Sequence, residues 1–147
     1  MTLRAAVIGV GNMGRHHARN YANISGVELV GIADANEATA HKMAQQHGGQ
    51  AFSDYEQMLD EAKPDLVTIA VPTVHHLNVA KQAIDRGIHV LLEKSIAFSV
   101  EEGQQIIDLA KAAGVCLMVG HIERFKPGYY GHKRAVGGRR VRPSLSD

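Results

Sequence analysis

Apolar runs alternate with amphipathic stretches along most of the chain. Six of the runs predict strands, at 4–10, 27–34, 50–52, 65–71, 89–92 and 115–119. The amphipathic stretches between them predict five helices, at 13–24, 37–47, 54–62, 74–86 and 100–113. Strands that are apolar throughout, separated by helices of about 10–15 residues, indicate parallel βαβ units with helices on both faces. The pattern therefore predicts an α/β fold built on a doubly wound parallel sheet.

Two of these helices also begin with a sequence signal for capping. Ser53 stands three residues before Glu56, and Ser99 stands three residues before Glu102. This is the spacing of a capping box, in which each side chain binds the free backbone N–H of the other residue. We therefore expect these two serines to be the N-caps of the third and fifth helices.

The end of the chain differs in composition from the rest. Residues 128–147 have no sustained period, contain four glycines and carry a net charge of +4 from five basic residues and one aspartate. Such a segment cannot bury enough apolar surface to fold by itself. The sequence therefore predicts one folded domain over residues 1–127, followed by a basic Gly/Arg-rich tail over 128–147 that is disordered or marks a truncation.

Composition and charge narrow the classes of protein to consider. The 147 residues are 45% hydrophobic and 21% charged, as in soluble globular domains, and no apolar run reaches the roughly 20 residues of a membrane span. The total charge is +1, so with +4 in the tail the other residues carry −3, which argues against a nucleic-acid-binding surface. A single cysteine, Cys116, excludes an internal disulfide and fits a reducing cytosol. We expect a cytoplasmic protein with neither membrane nor nucleic acid as a partner.

Residues 9–14 read G-x-G-x-x-G between the first predicted strand and the first predicted helix. In this setting Gly9 permits a tight turn, Gly11 lets the backbone approach a pyrophosphate, and Gly14 allows the helix to pack closely on the strand. The free N–H groups of the helix N-terminus also favour a phosphate. We expect Asn12 and Met13, between these glycines, to contact the same ligand. The loop therefore predicts a dinucleotide site on a Rossmann fold.

Asp34 ends the second predicted strand, twenty residues after Gly14. A carboxylate at this place accepts hydrogen bonds from the adenosine ribose hydroxyls. A 2′-phosphate would meet it with like charge, Ala35 and Asn36 supply no compensating arginine, and the nearest cation that follows is Lys42. We therefore expect NAD in preference to NADP. The alternatives are glycines that serve packing with Asp34 as a helix cap, and an S-adenosylmethionine enzyme, whose third glycine usually comes one residue earlier.

Two histidines follow the fourth predicted strand, at the sheet edge where ligands bind. Pro72 ends that strand, and His75 and His76 lie in the first turn of the next helix. They are either a solvent-exposed pair or ligand contacts. No His pair at i, i+4 and no nearby cysteine gives metal-ligand spacing, so no metal is expected. We expect His16 and His17, on the first helix, to be structural.

Lys94 stands in a similar place, at the end of the fifth strand. The apolar run 90–92 is followed directly by Glu93 and Lys94, with no polar transition. A lysine at a strand end is most often solvated. Beside a dinucleotide loop, however, the end of this strand faces the nicotinamide half of the ligand, so Lys94 is a candidate for chemistry.

Four segments together resemble the Gfo/Idh/MocA oxidoreductases, the relatives of glucose–fructose oxidoreductase and inositol dehydrogenase. They are GVGNMGRHHA, VPTVHH, EKSIAF and GHIERFKP, which occur in the family's order and spacing over residues 3–127. The family's Glu-Lys-Pro motif matches Glu93 and Lys94, with Ser95 in place of the proline. Its T-P-N-x-x-H segment matches at Pro72 and His76 and loses the asparagine. Its R-F-x-P segment is present as Arg124, Phe125 and Pro127.

The resemblance implies NAD(P)-linked oxidation of a secondary alcohol on a sugar, cyclitol or nucleotide sugar. It implies that Lys94 contacts both the nicotinamide ribose and the substrate hydroxyl, with His76 as a second catalytic residue. It also places Pro72, His76, Glu93 and Lys94 among the cofactor-binding residues. The segment VGHIERF most resembles the branch that acts on UDP-N-acetylated amino sugars.

Members of the family continue into a second α/β domain, which binds substrate and often forms the oligomer. The sequence given has no counterpart of it, so we expect this chain to bind cofactor without turning over substrate. We expect a homo-oligomer only where the second domain is present. The main alternative function is a non-catalytic NAD-sensing regulatory module, which would not need Lys94. A weaker alternative is RNA binding by the basic tail, in which Tyr129 and Tyr130 are the candidates for stacking on bases.

Overall fold

A computed structural model of the chain describes residues 1–120, and the tail predicted at 128–147 lies outside them. Within this range six strands alternate with five α-helices, as the hydrophobic pattern predicts. The strands are β1 (Leu3–Ile8), β2 (Val27–Ala33), β3 (Gln50–Phe52), β4 (Leu66–Ile69), β5 (His89–Glu93) and β6 (Leu117–Gly120). The helices are α1 (Gly14–Asn23), α2 (Glu37–His47), α3 (Tyr55–Ala62), α4 (His76–Asp85) and α5 (Val100–Ala113). A 3-10 turn, Thr73–His75, leads into α4.

The strands form one parallel sheet in the order β3-β2-β1-β4-β5-β6. The chain order therefore reverses between β1 and β4, which are neighbours in the sheet. Their carboxyl ends are in register, because Ile8 pairs with both Ala33 of β2 and Ile69 of β4. Open parallel sheets bind ligands beyond the carboxyl ends of the strands at such a reversal. The predicted doubly wound Rossmann fold is confirmed, and its binding edge lies where the loops after β1 and β4 separate.

The sheet is buried on both faces, which explains why its strands are apolar without alternation. In β1, Ala5 and Val7 belong to the core that packs against α1 and α2, whereas Ala6 and Ile8 belong to the core beneath α3, α4 and α5. All four residues are at most 2% exposed. Packing from both sides holds the strand ends, and so the site they carry, in fixed positions. Within residues 1–120 no helix has the length and apolar character needed to cross a membrane.

The helix caps agree with the prediction in one case and differ in the other. Ser99 is the N-cap of α5, and its Oγ accepts a hydrogen bond from the backbone N–H of Glu102 at 3.2 Å. The N-cap of α3 is Asp54, whose Oδ1 accepts one from the backbone N–H of Glu56 at 2.9 Å. The prediction that Ser53 caps α3 is wrong, because the carboxylate one residue further along binds the free N–H groups of the first turn instead.

Candidate functional site

A cavity of about 1280 Å³ lies at the carboxyl edge of the sheet. It is larger than the roughly 300–1,000 Å³ of a typical small-molecule pocket, which suits an extended ligand. A residue at or just beyond the end of each strand lines it: Gly9, Asp34, Ser53, Pro72, Glu93 and Gly120. Most of the predicted cofactor residues therefore meet in this cavity, since its lining also includes Gly11, Asn12, Met13 and Lys94.

The glycine loop has the packing that the sequence predicts. Gly9 has a φ of +86°, and a Cβ there would lie 2.9 Å from the carbonyl oxygen of Ala70. A Cβ on Gly14 would lie 1.7 Å from the carbonyl oxygen of Gly9, so only a glycine lets α1 pack this closely against the loop. A Cβ on Gly11 would meet no atom within 4 Å. Because Gly11 lines the cavity, this open space is where a ligand can approach the backbone.

Asp34 is fixed in the cavity wall by two backbone groups. Its Oδ2 accepts a hydrogen bond from the N–H of Val10 at 2.9 Å, and its Oδ1 accepts one from the N–H of Asn36 at 2.8 Å. Carboxylate oxygens can accept more than one bond each, so ligand hydroxyls can still bind. Asp34 is not the cap of α2, because Asn36 is the N-cap and accepts a bond from the N–H of Thr39. Asp34 therefore joins the glycine loop to the end of β2 and presents a carboxylate to the cavity.

Two basic residues of α1 that were not predicted as site residues also line the cavity, one of them expected from the sequence to be structural. They are His16 and Arg19, which are three residues apart and so lie on one face of the helix. Arg19 Nη2 lies 3.4 Å from His16 Nδ1. Both residues precede Asp34 in the chain by fifteen or more positions, and their side chains reach the cavity through the packing of α1. Met13, His16 and Arg19 follow one another at intervals of three residues, so they lie on one face of the helix. Because Met13 was already a predicted site residue, this spacing could have indicated the other two.

His76 does not line the cavity. The residue is 1% exposed, and its ring lies between two backbone carbonyls: Nε2 is 2.9 Å from the oxygen of Val71, and Nδ1 is 3.2 Å from the oxygen of Ile96. The ring thereby connects the loops after β4 and β5. The predicted contact of His76 with cofactor or substrate is not seen in this structure, because the ring is buried between these two carbonyls and does not line the cavity. Its exposed neighbour His75 lines the cavity instead.

Glu93 and Lys94 line the cavity from different environments. Glu93 is 7% exposed, and its Oε1 is hydrogen-bonded to Nε2 of His17. Lys94 is exposed and is joined to Ser95 by a cis peptide bond. This end of the cavity therefore places a buried acceptor beside an exposed cation. Within the described range, no group of three or more His, Cys, Asp or Glu side chains could hold a metal ion.

Comparison with known proteins identifies a family and several similar dehydrogenases. The Gfo/Idh/MocA family model, described as an oxidoreductase family with an NAD-binding Rossmann fold, matches residues 3–121. UDP-N-acetylglucosamine 3-dehydrogenase of Acidithiobacillus ferrooxidans is 38% identical over 125 residues, which are 85% of this chain and 39% of that protein. The scyllo-inositol 2-dehydrogenase (NAD(+)) of Bacillus subtilis is 32% identical over 136 residues, which are 91% of this chain and 40% of that protein.

Solved structures of similar proteins have the same fold. That of the A. ferrooxidans enzyme matches with a TM-score of 0.82 at 35% identity, covering 92% of this chain and 44% of the other. GenD2 from gentamicin A biosynthesis, solved in complex with NAD, matches with a TM-score of 0.84 at 27% identity, covering 92% of this chain and 38% of the other. The chain therefore spans about two fifths of the length of these relatives. Through residues 3–121, it belongs to the Gfo/Idh/MocA oxidoreductase family and has that family's NAD-binding Rossmann fold.

Proposed function

We propose that this chain supplies the NAD site of a dehydrogenase that oxidises a secondary alcohol on a sugar, cyclitol or nucleotide sugar. The observation that carries the proposal is the convergence of Gly11, Asp34 and Lys94 on one cavity at the carboxyl edge of the sheet. These residues follow β1, β2 and β5, so the cavity extends across the sheet on both sides of the strand-order reversal.

The residues around the cavity fit an extended dinucleotide. Gly11 leaves space for a pyrophosphate against the loop, and the N–H groups at the start of α1 favour its negative charge. Asp34 accepts hydrogen bonds from the adenosine ribose on the β2 side. Pro72, Glu93 and Lys94, which line the cavity on the other side of the reversal, would hold the nicotinamide half. Family membership and the NAD-bound relative support this arrangement.

NAD is proposed in preference to NADP because of the charge of Asp34. Two backbone N–H groups hold this carboxylate in the cavity wall, where a 2′-phosphate would meet it. Arg19 lines the same cavity and acts in the opposite direction. Arg19 is exposed, so solvent and salt screen its charge, whereas Asp34 is partly buried and fixed. The repulsion from Asp34 is therefore expected to outweigh the attraction of Arg19.

Lys94 is proposed as the catalytic residue. NAD, when bound, supplies the acceptor for a hydride. The amine of Lys94 accepts the proton of the substrate hydroxyl, and the ammonium that forms stabilises the negative charge on the oxygen, a role worth roughly 10²–10⁴-fold in rate. Lys94 is exposed, so the described residues form one wall of a reaction site, and excluding water requires an opposing surface. We therefore propose that this chain alone binds cofactor without turning over substrate.

The names of the relatives support a sugar-like substrate. The two curated relatives are dehydrogenases of UDP-N-acetylglucosamine and of scyllo-inositol, by the names they carry. The identity to the first is higher, 38% against 32%. Together with the segment VGHIERF, this favours a UDP-N-acetylated amino sugar as the substrate class.

Calorimetric titration with NAD tests the proposed site. Gly11→Val adds a side chain to open space, so the chain should fold normally while the pyrophosphate position is filled. We expect saturable NAD binding to the unmodified chain and none to Gly11→Val. Ala113→Val, at the exposed end of α5, is the matched control and should bind NAD like the unmodified chain. Absence of NAD binding to the unmodified chain, or normal binding to Gly11→Val, would contradict the proposal.

A further inference from the structure

One face of α1 carries two polar aromatic residues to the ends of neighbouring strands. His17 and Tyr21 are one helical turn apart, and their ring centroids are 6.5 Å apart at an interplanar angle of 36°. His17 Nε2 is hydrogen-bonded to Glu93 Oε1, at the end of β5. Tyr21 Oη lies 2.5 Å from Oγ1 of Thr68 in β4. The two contacts fix α1 to adjacent strands, but only one of them involves a residue that lines the cavity.

The contact with Glu93 reaches the cavity, whereas the contact with Thr68 does not. Thr68 is fully buried and Tyr21 is 8% exposed, and neither lines the cavity. The side chains of His17 and Glu93 are 19% and 10% exposed, and Glu93 lines the cavity. Burying a carboxylate is costly unless it is hydrogen-bonded. His17 binds one oxygen of Glu93, and the hydrogen bonds found within residues 1–120 include none to its other oxygen, Oε2.

We propose that His17 is a positioning residue for the nicotinamide-ribose half of the cofactor. By binding Oε1 it holds the Glu93 carboxylate at the wall of the cavity, which leaves Oε2 to accept a hydrogen bond from that half of the dinucleotide. Because Glu93 directly precedes Lys94, the same contact fixes the backbone from which Lys94 extends. This inference rests on the proposed NAD site, and it assigns to His17 a role other than the purely structural one expected from the sequence.

Two amide substitutions separate positioning from packing. The side-chain nitrogen of glutamine lies about as far from Cβ as Nε2 of histidine, and that of asparagine about as far as Nδ1. Since Nε2 makes the contact, His17→Gln can still donate to Glu93 and His17→Asn cannot. Both substitutions replace the ring with an amide, so differences between them report the contact rather than the loss of the ring.

The measurement is calorimetric titration of the full 147-residue chain with NAD and with ADP, which has the adenosine and both phosphates but not the nicotinamide ribose. We expect His17→Asn to weaken NAD binding by about tenfold, the loss of about one hydrogen bond to a charged group, while ADP affinity stays within about twofold. His17→Gln should bind both ligands nearly as the unmodified chain does. Tyr21→Phe is the matched control, which should lower the melting temperature and leave the ratio of NAD to ADP affinity unchanged.

The outcomes distinguish this inference from the NAD site itself. Failure of the unmodified chain to bind NAD would overturn the proposed function. Normal NAD binding together with equal behaviour of His17→Asn and His17→Gln, or parallel weakening of NAD and ADP, would overturn the role of His17 alone. Glu93→Ala gives an independent route: it should reproduce the His17→Asn effect, and the double variant should be no weaker than either single variant. Additive losses in the double variant would also overturn the role.

Discussion

Replacing Asp34 with alanine removes two observed interactions and one proposed interaction. The observed ones are the hydrogen bonds from the N–H of Val10 to Oδ2, at 2.9 Å, and from the N–H of Asn36 to Oδ1, at 2.8 Å. The proposed one is the acceptance of hydrogen bonds from the adenosine ribose hydroxyls. Asp34→Ala should therefore affect both the stability of the fold and the affinity for NAD.

The loss of stability should come mainly from Val10. That residue is 3% exposed, so its N–H loses its partner, whereas Asn36 is exposed and water can bind its N–H. An unsatisfied buried donor costs about 1–3 kcal/mol. In a chain of this size each kcal/mol lowers the melting temperature by about 2–4 °C. We therefore expect Asp34→Ala to remain folded with a clearly lower melting temperature.

The loss of NAD affinity should be larger than this structural effect alone would cause. A hydrogen bond to a charged group is worth about 1.5–3 kcal/mol, which corresponds to NAD binding weakened by about 10- to 150-fold. NADP should be affected less, because the substitution also removes the charge that repels its 2′-phosphate. With Arg19 still lining the cavity, Asp34→Ala should narrow the preference for NAD or reverse it.

Calorimetry with NAD and NADP, on the unmodified chain and on folded Asp34→Ala, measures these effects. Asp34→Asn is the matched control: it keeps the size of the side chain and one acceptor oxygen, and should give intermediate NAD affinity. The proposed role of Asp34 is refuted if the unmodified chain binds NADP as tightly as NAD. It is also refuted if Asp34→Ala, shown to be folded by circular dichroism, binds NAD within about twofold of the unmodified chain, less than one hydrogen bond would contribute.

Three further predictions concern Lys94, Gly14 and turnover. Lys94→Ala should leave the melting temperature unchanged because Lys94 is exposed, yet weaken NAD binding about tenfold; unchanged affinity would argue against a contact with the cofactor. Gly14→Ala should strongly destabilise the chain, because its Cβ would lie 1.7 Å from the oxygen of Gly9; a melting temperature equal to that of the unmodified chain would contradict this. The chain with NAD and a panel of sugars, cyclitols and UDP-amino sugars should form no NADH above a Lys94→Ala control. Steady, Lys94-dependent NADH formation would show that the cavity is sufficient for catalysis.

Features that depend on neighbours along the chain were predictable from the sequence. The hydrophobic pattern predicts all six strands and their parallel arrangement, and the glycine spacing predicts the close packing of Gly14. The N-terminus of α3 is a place where the sequence pattern did not identify the correct cap residue. Ser53 and Asp54 are both good caps and differ by one position, so the sequence favours the capping-box serine while the structure uses the aspartate.

Features that depend on the rotation of a helix or on distant residues were not predictable. Adjacent residues differ in direction by about 100° in an α-helix and about 120° in a 3-10 turn, so His75 and His76 point in different directions, and the sequence does not say which one faces the cavity. His17 and Glu93 are 76 residues apart in the chain, and their contact exists only because α1 packs beside the end of β5. The same packing brings Arg19 into the cavity that Asp34 lines.

The central claim is that one dinucleotide spans the cavity from the end of β2 to the end of β5. Backbone amide NMR spectra of the ¹⁵N-labelled chain, recorded during titration with NAD and separately with AMP, test it most directly. NAD should shift the signals of Gly11, Asp34 and Lys94 along one saturation curve, whereas AMP should shift those of Asp34 and leave that of Lys94 in place. NAD-induced shifts that are absent, or that leave Lys94 unaffected at saturation, would contradict the claim.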